Sequence, residues 1–233
     1  MTILIIPVTG IGEIAEGDDL AEQICARAQL LDGDVVVVAQ KIVSKAEGRL
    51  VAVDPAERER ARRELVEQEA AEVIARRGDL VIARTKHGFV CAAAGVDASN
   101  VPSDRIALLP EDPDASAAAI RTGIEQRAGI KVAVIVADTF GRPWRRGQTN
   151  VALGVAGMTP IRDHRGTPDG FGHVLEATEI ALADEVAGAA EMVMGKVDGV
   201  PVAIVRGLDG HLGAGRGTDL IRPIEEDLFR RGG

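Results

Sequence analysis

Short runs of apolar residues alternate with longer segments of mixed polarity along this chain. Residues 35–39 and 132–136 are continuous runs of valine, isoleucine and alanine. Continuous runs of this kind are typical of strands that are covered on both faces of a sheet. The pattern predicts buried strands at residues 3–8, 35–39, 132–136 and 200–205, and a hairpin formed by residues 80–83 and 89–93.

Helical patterns occupy much of the sequence between these runs. An acidic pair at residues 18–19 precedes a helical pattern that continues to about residue 29. Residues 54–77 predict a highly charged helix that begins at an Asp-Pro pair and has a solvated face. Further predictions are a helix at residues 114–128, a glycine-rich polar stretch at 141–172, and a strand followed by a helix within 174–194.

This order of elements predicts a mixed α/β sheet protein of the α+β class. The familiar nucleotide-binding signatures are missing, because the sequence has no G-x-x-x-x-G-K-[ST] motif and Gly10-Ile11-Gly12 lacks a third glycine. We therefore expect neither a P-loop fold nor a Rossmann fold. We expect residues 1–233 to form a single unit, with two intertwined subdomains as the alternative, and no additional C-terminal domain.

The composition limits the classes of partner. The net charge is −9, aromatic residues make up 2% of the chain and tyrosine is absent, so a nucleic-acid partner is not expected. No apolar run approaches the roughly 20 residues that a membrane-spanning helix needs, so no membrane partner is expected either. The two cysteines, Cys25 and Cys91, form neither a zinc pattern nor a disulfide framework, and a reducing cytoplasmic location is the default.

Two aspartates follow apolar strands in a way that suggests a metal site. Asp97 comes after the predicted strand at 89–93, and Asp138 comes after the strand at 132–136. Ligand sites of open α/β sheets lie beyond the carboxyl ends of strands, and Mg²⁺ is usually held by one or two carboxylates plus substrate phosphates. The alternative is that each aspartate makes only a turn or a helix cap, which is the better interpretation for either one alone. Asp184 has the same two interpretations.

Basic residues near these strands could recognise an anionic ligand. Arg142, Arg145 and Arg146 follow the candidate metal strand, and guanidinium groups bind phosphate or carboxylate in bidentate fashion. A solvated surface loop is an equally good interpretation of these arginines. Lys41 and Lys45 follow the second strand and could each place a point charge on a phosphate, although most loop lysines are simply solvated.

Taken together and in order, these segments resemble the coenzyme F-420-0:L-glutamate ligase family. The resemblance covers nearly the whole chain, and it is the length and order of the motifs that make it specific. The matching segments are residues 7–11, 16–20, 32–35, 43–49, 94–100, 109–110, 112–114, 138–139, 141–142, 145–147, 183–185 and 205–208.

The resemblance implies a reaction and its partners. GTP would phosphorylate the terminal carboxylate of coenzyme F-420-0, and the amine of L-glutamate would then displace the phosphate to form an amide. It also implies Mn²⁺ or Mg²⁺, with two ions expected, K⁺ as a further cation, and a homodimer. Some relatives carry a C-terminal flavin-dependent domain, which this chain, ending at Gly233, would lack, so no redox activity is expected.

The resemblance also assigns residues. Asp97, Asp138 and Thr139 match metal-binding positions. Positions that would contact GTP are Ile11, Gly12, Glu13, Ile14, Gln40, Lys41, Lys45 and Asn100, with Gly199 and Val200 as a less secure match. Gln40 and Lys41 depart from the small hydroxyl residues expected in archaeal members, which puts a side-chain contact there in doubt. We further hypothesise that Lys45, Arg142, Arg145 and Arg146 neutralise charge in the transition state.

Three other functions are compatible with the same residues. A related ligase could use acyl-phosphate chemistry on another anionic acceptor. A regulatory protein could bind GTP without any chemistry. A metal-dependent phosphohydrolase would release phosphate without needing glutamate.

Overall fold

The structure is a computed structural model that describes residues 2–208 and 210–227. The strands are β1 (Leu4–Val8), β2 (Val35–Ala39), β3 (Leu50–Ala52), β4 (Ala70–Arg77), β5 (Leu80–Thr85), β6 (Val90–Ala92), β7 (Arg105–Ala107), β8 (Ala133–Arg142), β9 (Arg145–Ala156), β10 (Arg162–Asp163), β11 (Glu179–Ile180) and β12 (Val202–Arg206). The α-helices are α1 (Leu20–Cys25), α2 (Gln40–Ala46), α3 (Arg58–Glu69), α4 (Pro113–Ala128) and α5 (Leu182–Met194). Short 3₁₀ turns lie at Pro55–Glu57, Ala93–Gly95, Gly217–Leu220 and Ile224–Glu226.

The largest sheet has the strand order β1-β12-β2-β8-β9 and forms the centre of the molecule. β2 and β8 are parallel, and the other neighbouring strands are antiparallel. Alternate residues of β2 enter two separate apolar cores: Val36 and Val38 pack with α1, α2 and α4, whereas Val35 and Val37 pack with α5. The predicted mixed α/β sheet, buried on both faces at residues 35–39, is therefore confirmed.

Two smaller sheets form beside the central one, β4-β5-β6 and β3-β7. Together with α3 they enclose a third apolar core, in which Val66, Ala83 and Ile106 are buried. The short pair β10-β11 lies apart from these sheets in the hydrogen-bonding pattern. The predicted hairpin of residues 80–83 and 89–93 is confirmed, because β5 and β6 pair antiparallel. The division of the chain into one unit or two subdomains stays a prediction.

The capping residues account for where two of the helices begin and end. The Asp19 carboxylate accepts a hydrogen bond from the Glu22 backbone N–H and caps α1, as its sequence indicates. That helix ends at Cys25, so the prediction that it continues to about residue 29 is wrong. α4 is capped by Asp112, starts at Pro113 and stops at Gly129, whose φ of 68° is left-handed.

The charged segment 54–77 is not one helix. α3 ends at Glu69, and the next eight residues form β4, which pairs antiparallel with β5. Pairing with β5 satisfies the backbone groups of β4 and overrides the helical preference of its sequence, an outcome that local propensity does not capture. The prediction of a helix to Arg77 is therefore wrong for residues 70–77.

The polar stretch at 141–172 contains a long strand. β8 continues to Arg142, and β9 returns beside it from Arg145. Val136 pairs with Gly154 but Ala137 pairs with Ala152, so Leu153 is an extra residue in β9 and forms a β-bulge. Among the described residues, no helix is both long and apolar enough to cross a bilayer.

Candidate functional site

A cleft of about 750 Å³ lies at the end of β2 and along β8. This volume falls within the range of roughly 300–1,000 Å³ that is common for small-molecule sites. Its wall comes from the loop after β1, the start of α2, the 3₁₀ turn after β6, the middle of β8 and the segment after α5. Further wall residues come from α3, β9 and α5, so many distant parts of the sequence contribute to one surface.

The cleft brings together all the residues matched to nucleotide and metal positions by the resemblance. Those residues are Ile11, Gly12, Glu13, Ile14, Gln40, Lys41, Lys45, Asn100, Gly199 and Val200 for the nucleotide, and Asp97, Asp138 and Thr139 for the metal. Of the four residues assigned to charge neutralisation, Lys45 is in the wall. Arg142, Arg145 and Arg146 are not in the wall but exposed at the tip of the β8–β9 hairpin, where Arg142 Nη2 donates to the Arg146 carbonyl at 3.0 Å. Their proposed role stays a prediction.

Asp97 is held by a short antiparallel bridge. Its N–H donates to the Ala107 carbonyl at 2.9 Å, and the Ala107 N–H donates back to the Asp97 carbonyl at 2.8 Å. A left-handed turn at Ala93 (φ 52°) and Ala94 (φ 50°) separates it from β6, so Asp97 does not directly follow an apolar strand as predicted. The bridge fixes the direction in which the carboxylate leaves the backbone.

The Asp97 carboxylate serves both a local turn and a distant lysine. Oδ1 accepts the Ser99 N–H at 2.7 Å, which is the Asx-type turn that its sequence suggested. Oδ2 accepts Lys41 Nζ at 2.7 Å, and Lys41 Nζ also donates to the Ser99 carbonyl at 2.6 Å. Burial alone would raise the pKa of Asp97, but the hydrogen bonds from Lys41 and Ser99 hold that pKa below its ordinary value. Asp97 is therefore ionised and already paired.

Asp138 lies inside β8, at the point where the strand leaves the apolar core. Residues 133–137 are buried and residues 138–140 are partly exposed, so the strand continues past the aspartate rather than ending before it. Burial is the largest influence and raises the pKa of Asp138 to about 6, and the negative charge of Asp97 acts in the same direction. Both carboxylates line the same cleft, and the charge of Asp97 contributes to the raised pKa of Asp138.

A polar network continues from Asp138 along the cleft. Thr139 Oγ1 donates to Asn150 Oδ1 at 2.6 Å, across the β8–β9 pair, and accepts a hydrogen bond from Lys196 Nζ. Asn150 Nδ2 in turn donates to Glu191 Oε2 of α5 at 2.9 Å. Asn150 is buried, and both the oxygen and the nitrogen of its side-chain amide form hydrogen bonds. These hydrogen bonds fix the orientation of the Thr139 hydroxyl.

One side of the cleft is formed by α2, which contributes Gln40, Lys41 and Lys45. Lys45 Nζ donates to Glu13 Oε1 at 2.5 Å, and only 8% of the Lys45 side chain is exposed, against 77% for Glu13. Gln40 is buried, with its Oε1 2.9 Å from Ser44 Oγ. The Gln40 side chain is therefore tied into the interior, which leaves its backbone as the part available to a ligand.

Several polar or charged cleft residues were missed by the sequence analysis, among them Arg62, Gln148, Asn150, Glu191 and Lys196. Arg62 belongs to a helix whose charge pattern indicates a solvated face, and Gln148 and Asn150 belong to a stretch without a strand signal. Of these residues, Lys196 had the clearest sequence signal for a place in the site, because it is a polar residue between the end of a helix and the last strand. Asp184 does not line the cleft; its Oδ1 accepts the Ala152 N–H at 2.8 Å.

The donor atoms suit a hard cation that also takes ligands from a phosphate. Asp97 and Asp138 supply carboxylates, and Thr139 supplies a hydroxyl. Within residues 2–208 and 210–227, no three His, Cys, Asp or Glu side chains gather as a complete metal cage. Mg²⁺ and Mn²⁺ are compatible with this arrangement, because Mg²⁺ is commonly bound by one or two carboxylates plus substrate phosphates and water.

Comparison with known proteins identifies the family of the chain. Residues 10–207 match the family model described as F420-0:Gamma-glutamyl ligase. A coenzyme F420:L-glutamate ligase from Methanothermobacter thermautotrophicus is 44% identical, with 99% of this chain and 100% of that protein covered. Proteins of the same name are 41% identical in Methanocaldococcus jannaschii, where 89% of each chain is covered, and 41% identical in Methanopyrus kandleri, where 98% of each is covered.

The match to the family model covers the segments that form the cleft, from the loop after β1 to the last strand. The resemblance inferred from the sequence motifs is thereby confirmed. This chain belongs to the F420-0:Gamma-glutamyl ligase family.

Proposed function

We propose that this protein joins L-glutamate to coenzyme F-420-0 in the biosynthesis of coenzyme F-420, with GTP as the energy source and an acyl phosphate as the intermediate. One observation carries the proposal: a single cleft contains the carboxylates of Asp97 and Asp138 together with the ammonium groups of Lys41, which is partly buried, and of Lys45, which is buried. A triphosphate needs cations around it, and a shared metal needs paired carboxylates. The names of the relatives support the choice of acceptor and amine.

The chemistry follows from the poor reactivity of a carboxylate. An oxygen of the acceptor carboxylate attacks the γ-phosphorus of GTP, and the bond to the β-γ bridging oxygen breaks, which releases GDP. The glutamate amine then attacks the acyl carbon, and the C–O bond to phosphate breaks as the amide forms. The amine loses a proton, and inorganic phosphate leaves. One phosphoanhydride bond of GTP is broken for each amide bond that forms.

Phosphoryl transfer depends on alignment and charge neutralisation more than on covalent help from the protein. Asp97 and Asp138 would hold a divalent cation, which would supply charge neutralisation for the transferring phosphoryl group. Lys45 is positioned to place its ammonium on a phosphate, because the exposed Glu13 that now pairs with it can turn towards solvent. Lys41 holds Asp97 in its charged form, as its 2.7 Å contact with Oδ2 requires.

We also propose that the protein acts as a homodimer in the cytoplasm, where GTP is available. The exposed apolar side chains of Ile3, Leu4 and Trp144, the last 80% exposed, support a further interface. Light scattering coupled to size-exclusion chromatography would measure the mass, and the mass of a single chain at micromolar concentration would reject the dimer. The number of bound divalent cations and a role for K⁺ stay predictions.

Mass spectrometry of coenzyme F-420-0 tests the reaction directly. Incubation with the protein, GTP, Mn²⁺ and L-glutamate should increase the mass of the acceptor by one glutamyl unit or more. Reactions without glutamate, with ATP in place of GTP, or with another carboxylate acceptor separate the alternatives. Phosphate release that needs no glutamate would indicate a phosphohydrolase, and GTP binding without any turnover would indicate a regulatory protein.

A further inference from the structure

Arg62 lies on α3, is half-buried and lines the cleft. One helical turn later, Val66 packs into the third apolar core with the turn residues Ala93 and Ala94. That turn leads to Asp97 and is itself part of the cleft wall. Residues four positions apart lie on the same face of a helix. The packing of Val66 therefore places Arg62 on the side of α3 that faces the turn before Asp97.

Arg62 differs from the other basic residues of the cleft because it has no partner. Within the part of the chain that the structure describes, the other basic side chains of the wall each donate a hydrogen bond: Lys41 to Asp97, Lys45 to Glu13 and Lys196 to Thr139. Arg62 forms no hydrogen bond or ion pair with any described residue. Its guanidinium group therefore keeps its N–H donors for a ligand.

The neighbouring arginines of α3 have other environments. Arg60 pairs with Glu57 at 2.9 Å, and Arg58 Nη2 donates to the Ala98 carbonyl at 2.7 Å. Arg63 is exposed and lines an adjoining hollow of about 80 Å³ instead of the cleft. Of the arginines of α3, all of which the structure describes, only Arg62 lines the cleft.

The proposed reaction leaves two carboxylates that need a cation of their own. The acceptor carboxylate has to lie against the γ-phosphate and becomes an acyl phosphate. L-glutamate reacts through its amine, so both of its carboxylates stay charged throughout. A guanidinium group binds a carboxylate through two parallel N–H···O hydrogen bonds, whereas an ammonium group offers a point charge. An arginine of the cleft without a protein partner therefore matches a carboxylate that the chemistry does not consume.

We propose that the guanidinium group of Arg62 binds a carboxylate of the L-glutamate that supplies the amine, and thereby selects this amino acid and orients it. This inference rests on the proposed function, because L-glutamate is the amine of that reaction. Arg62 moves no proton and forms no covalent bond in this role. Either carboxylate of L-glutamate has the required chemistry, and amide analogues of the amino acid separate the two.

Steady-state kinetics of Arg62→Gln test the proposal. The change removes the charge and the paired donors, so the KM for L-glutamate should rise on the order of 10- to 100-fold, the range expected for lost hydrogen bonds to a charged group. The KM values for GTP and coenzyme F-420-0 should stay close to those of the wild type. Arg62→Lys keeps the charge without the planar fork and should recover part of the affinity. Arg63→Gln is the matched control outside the cleft wall and should leave all three KM values unchanged.

Two analogues identify the carboxylate that Arg62 binds. L-glutamine has an amide in place of the side-chain carboxylate, and L-isoglutamine has an amide in place of the α-carboxylate. The wild type should discriminate against the analogue that lacks the bound carboxylate. Arg62→Gln should reduce that discrimination by about the factor by which it raises the KM for L-glutamate, as expected for two groups in direct contact.

An unchanged KM for L-glutamate in a folded Arg62→Gln variant would overturn the proposal. A rise confined to GTP or coenzyme F-420-0, or undiminished discrimination against both analogues, would also overturn it. If thermal melting shows that Arg62→Gln is unfolded, Arg62→Lys provides the same comparisons. Glutamyl transfer by the wild type together with any of these results rejects this inference alone, whereas no glutamyl transfer by the wild type rejects the proposed function and this inference with it.

Discussion

The cleft and the tip of the β8–β9 hairpin both contain clusters of basic residues, and both are close to Asp138 in the sequence or in space. In the cleft, Lys41, Lys45 and Lys196 each have a defined partner, namely Asp97, Glu13 and Thr139. At the tip, Arg142, Arg145 and Arg146 are exposed and lie outside the wall of the cleft. The lysines come from distant segments, whereas the arginines are only a few residues from Asp138.

The difference shows that proximity in sequence is a poor guide to membership of this site. A strand rises by about 3.3 Å per residue, so a residue four positions beyond Asp138 on β8 lies more than 10 Å farther along the sheet. The residues that do meet Asp138 are brought by α2, by the turn before Asp97 and by the segment after α5. The predictions below test whether function follows position in the cleft rather than position in the sequence.

The largest effect is expected for Asp138→Asn. The change keeps the shape of the side chain and removes the charge that a cation needs, so glutamyl transfer should fall by about 100-fold or more, as when one electrostatic stabiliser of a transition state is lost. Steady-state kinetics at several Mn²⁺ concentrations measure this. Asp184→Asn is the control, because Asp184 lies outside the cleft wall and an asparagine oxygen can still accept the Ala152 N–H. Equal losses in the two variants would contradict a metal role for Asp138.

A smaller effect is expected for Lys45→Met. Methionine fills a similar volume but has no ammonium group. Without that charge the KM for GTP should rise by roughly 30-fold, which corresponds to about 2 kcal/mol. This value is the lower end of the free-energy cost of losing one partner of a buried charge pair, about 2 kcal/mol or more. The kcat should change less than the KM. Lys131→Met makes the same change at an exposed position and should alter neither constant. An unchanged KM in the Lys45 variant would remove Lys45 from the nucleotide site.

The smallest effect is expected for Arg145→Ala. Exposed charges without a fixed partner contribute about 0.2–1 kcal/mol to an interaction, so kcat/KM should change by less than about 5-fold. Arg62→Ala is the comparison, since it removes the same guanidinium from the wall of the cleft and should cost more. A loss of about 100-fold at Arg145 would show that the hairpin tip reaches a ligand and would support the original hypothesis for the three arginines.

The sequence was sufficient for the buried strands and for most of the cleft. Continuous apolar runs identified β2 and the buried half of β8, and the cap at Asp19 was readable as a local signal. Motifs in a fixed order led to the family, and through it to residues of the cleft that share no local pattern. Asp97 itself would have been interpreted as a turn residue, which it also is.

The remaining features depend on contacts between distant segments. Residues 70–77 form a strand only because β5 lies beside them, and the polar residues of β9 form a strand only because β8 does. Lys196 belongs to the site because Gly195 reverses the chain after α5, and no periodic pattern marks that position. The same limit applies to Glu191, which is one of several polar residues on its helix until Asn150 is found beside it.

The β-bulge at Leu153, a buried residue of the core, determines which residues of β9 lie opposite the polar residues of β8 in the cleft. With Leu153 accommodated in the bulge, Thr139 is opposite Asn150; if Leu153 instead paired regularly with Ala137, the ladder would shift by one position and Asn150 would be opposite Phe140. Neighbouring side chains on a strand point to opposite faces, so such a slip would separate the hydroxyl from its amide partner even though every polar residue remained in place. Deletion of Leu153 itself would leave Thr139 opposite Asn150, whereas a change that abolished the bulge but kept Leu153 would separate them without touching any group that lines the cleft. An insertion or deletion in β9 therefore has to be judged by its phase as well as by its size.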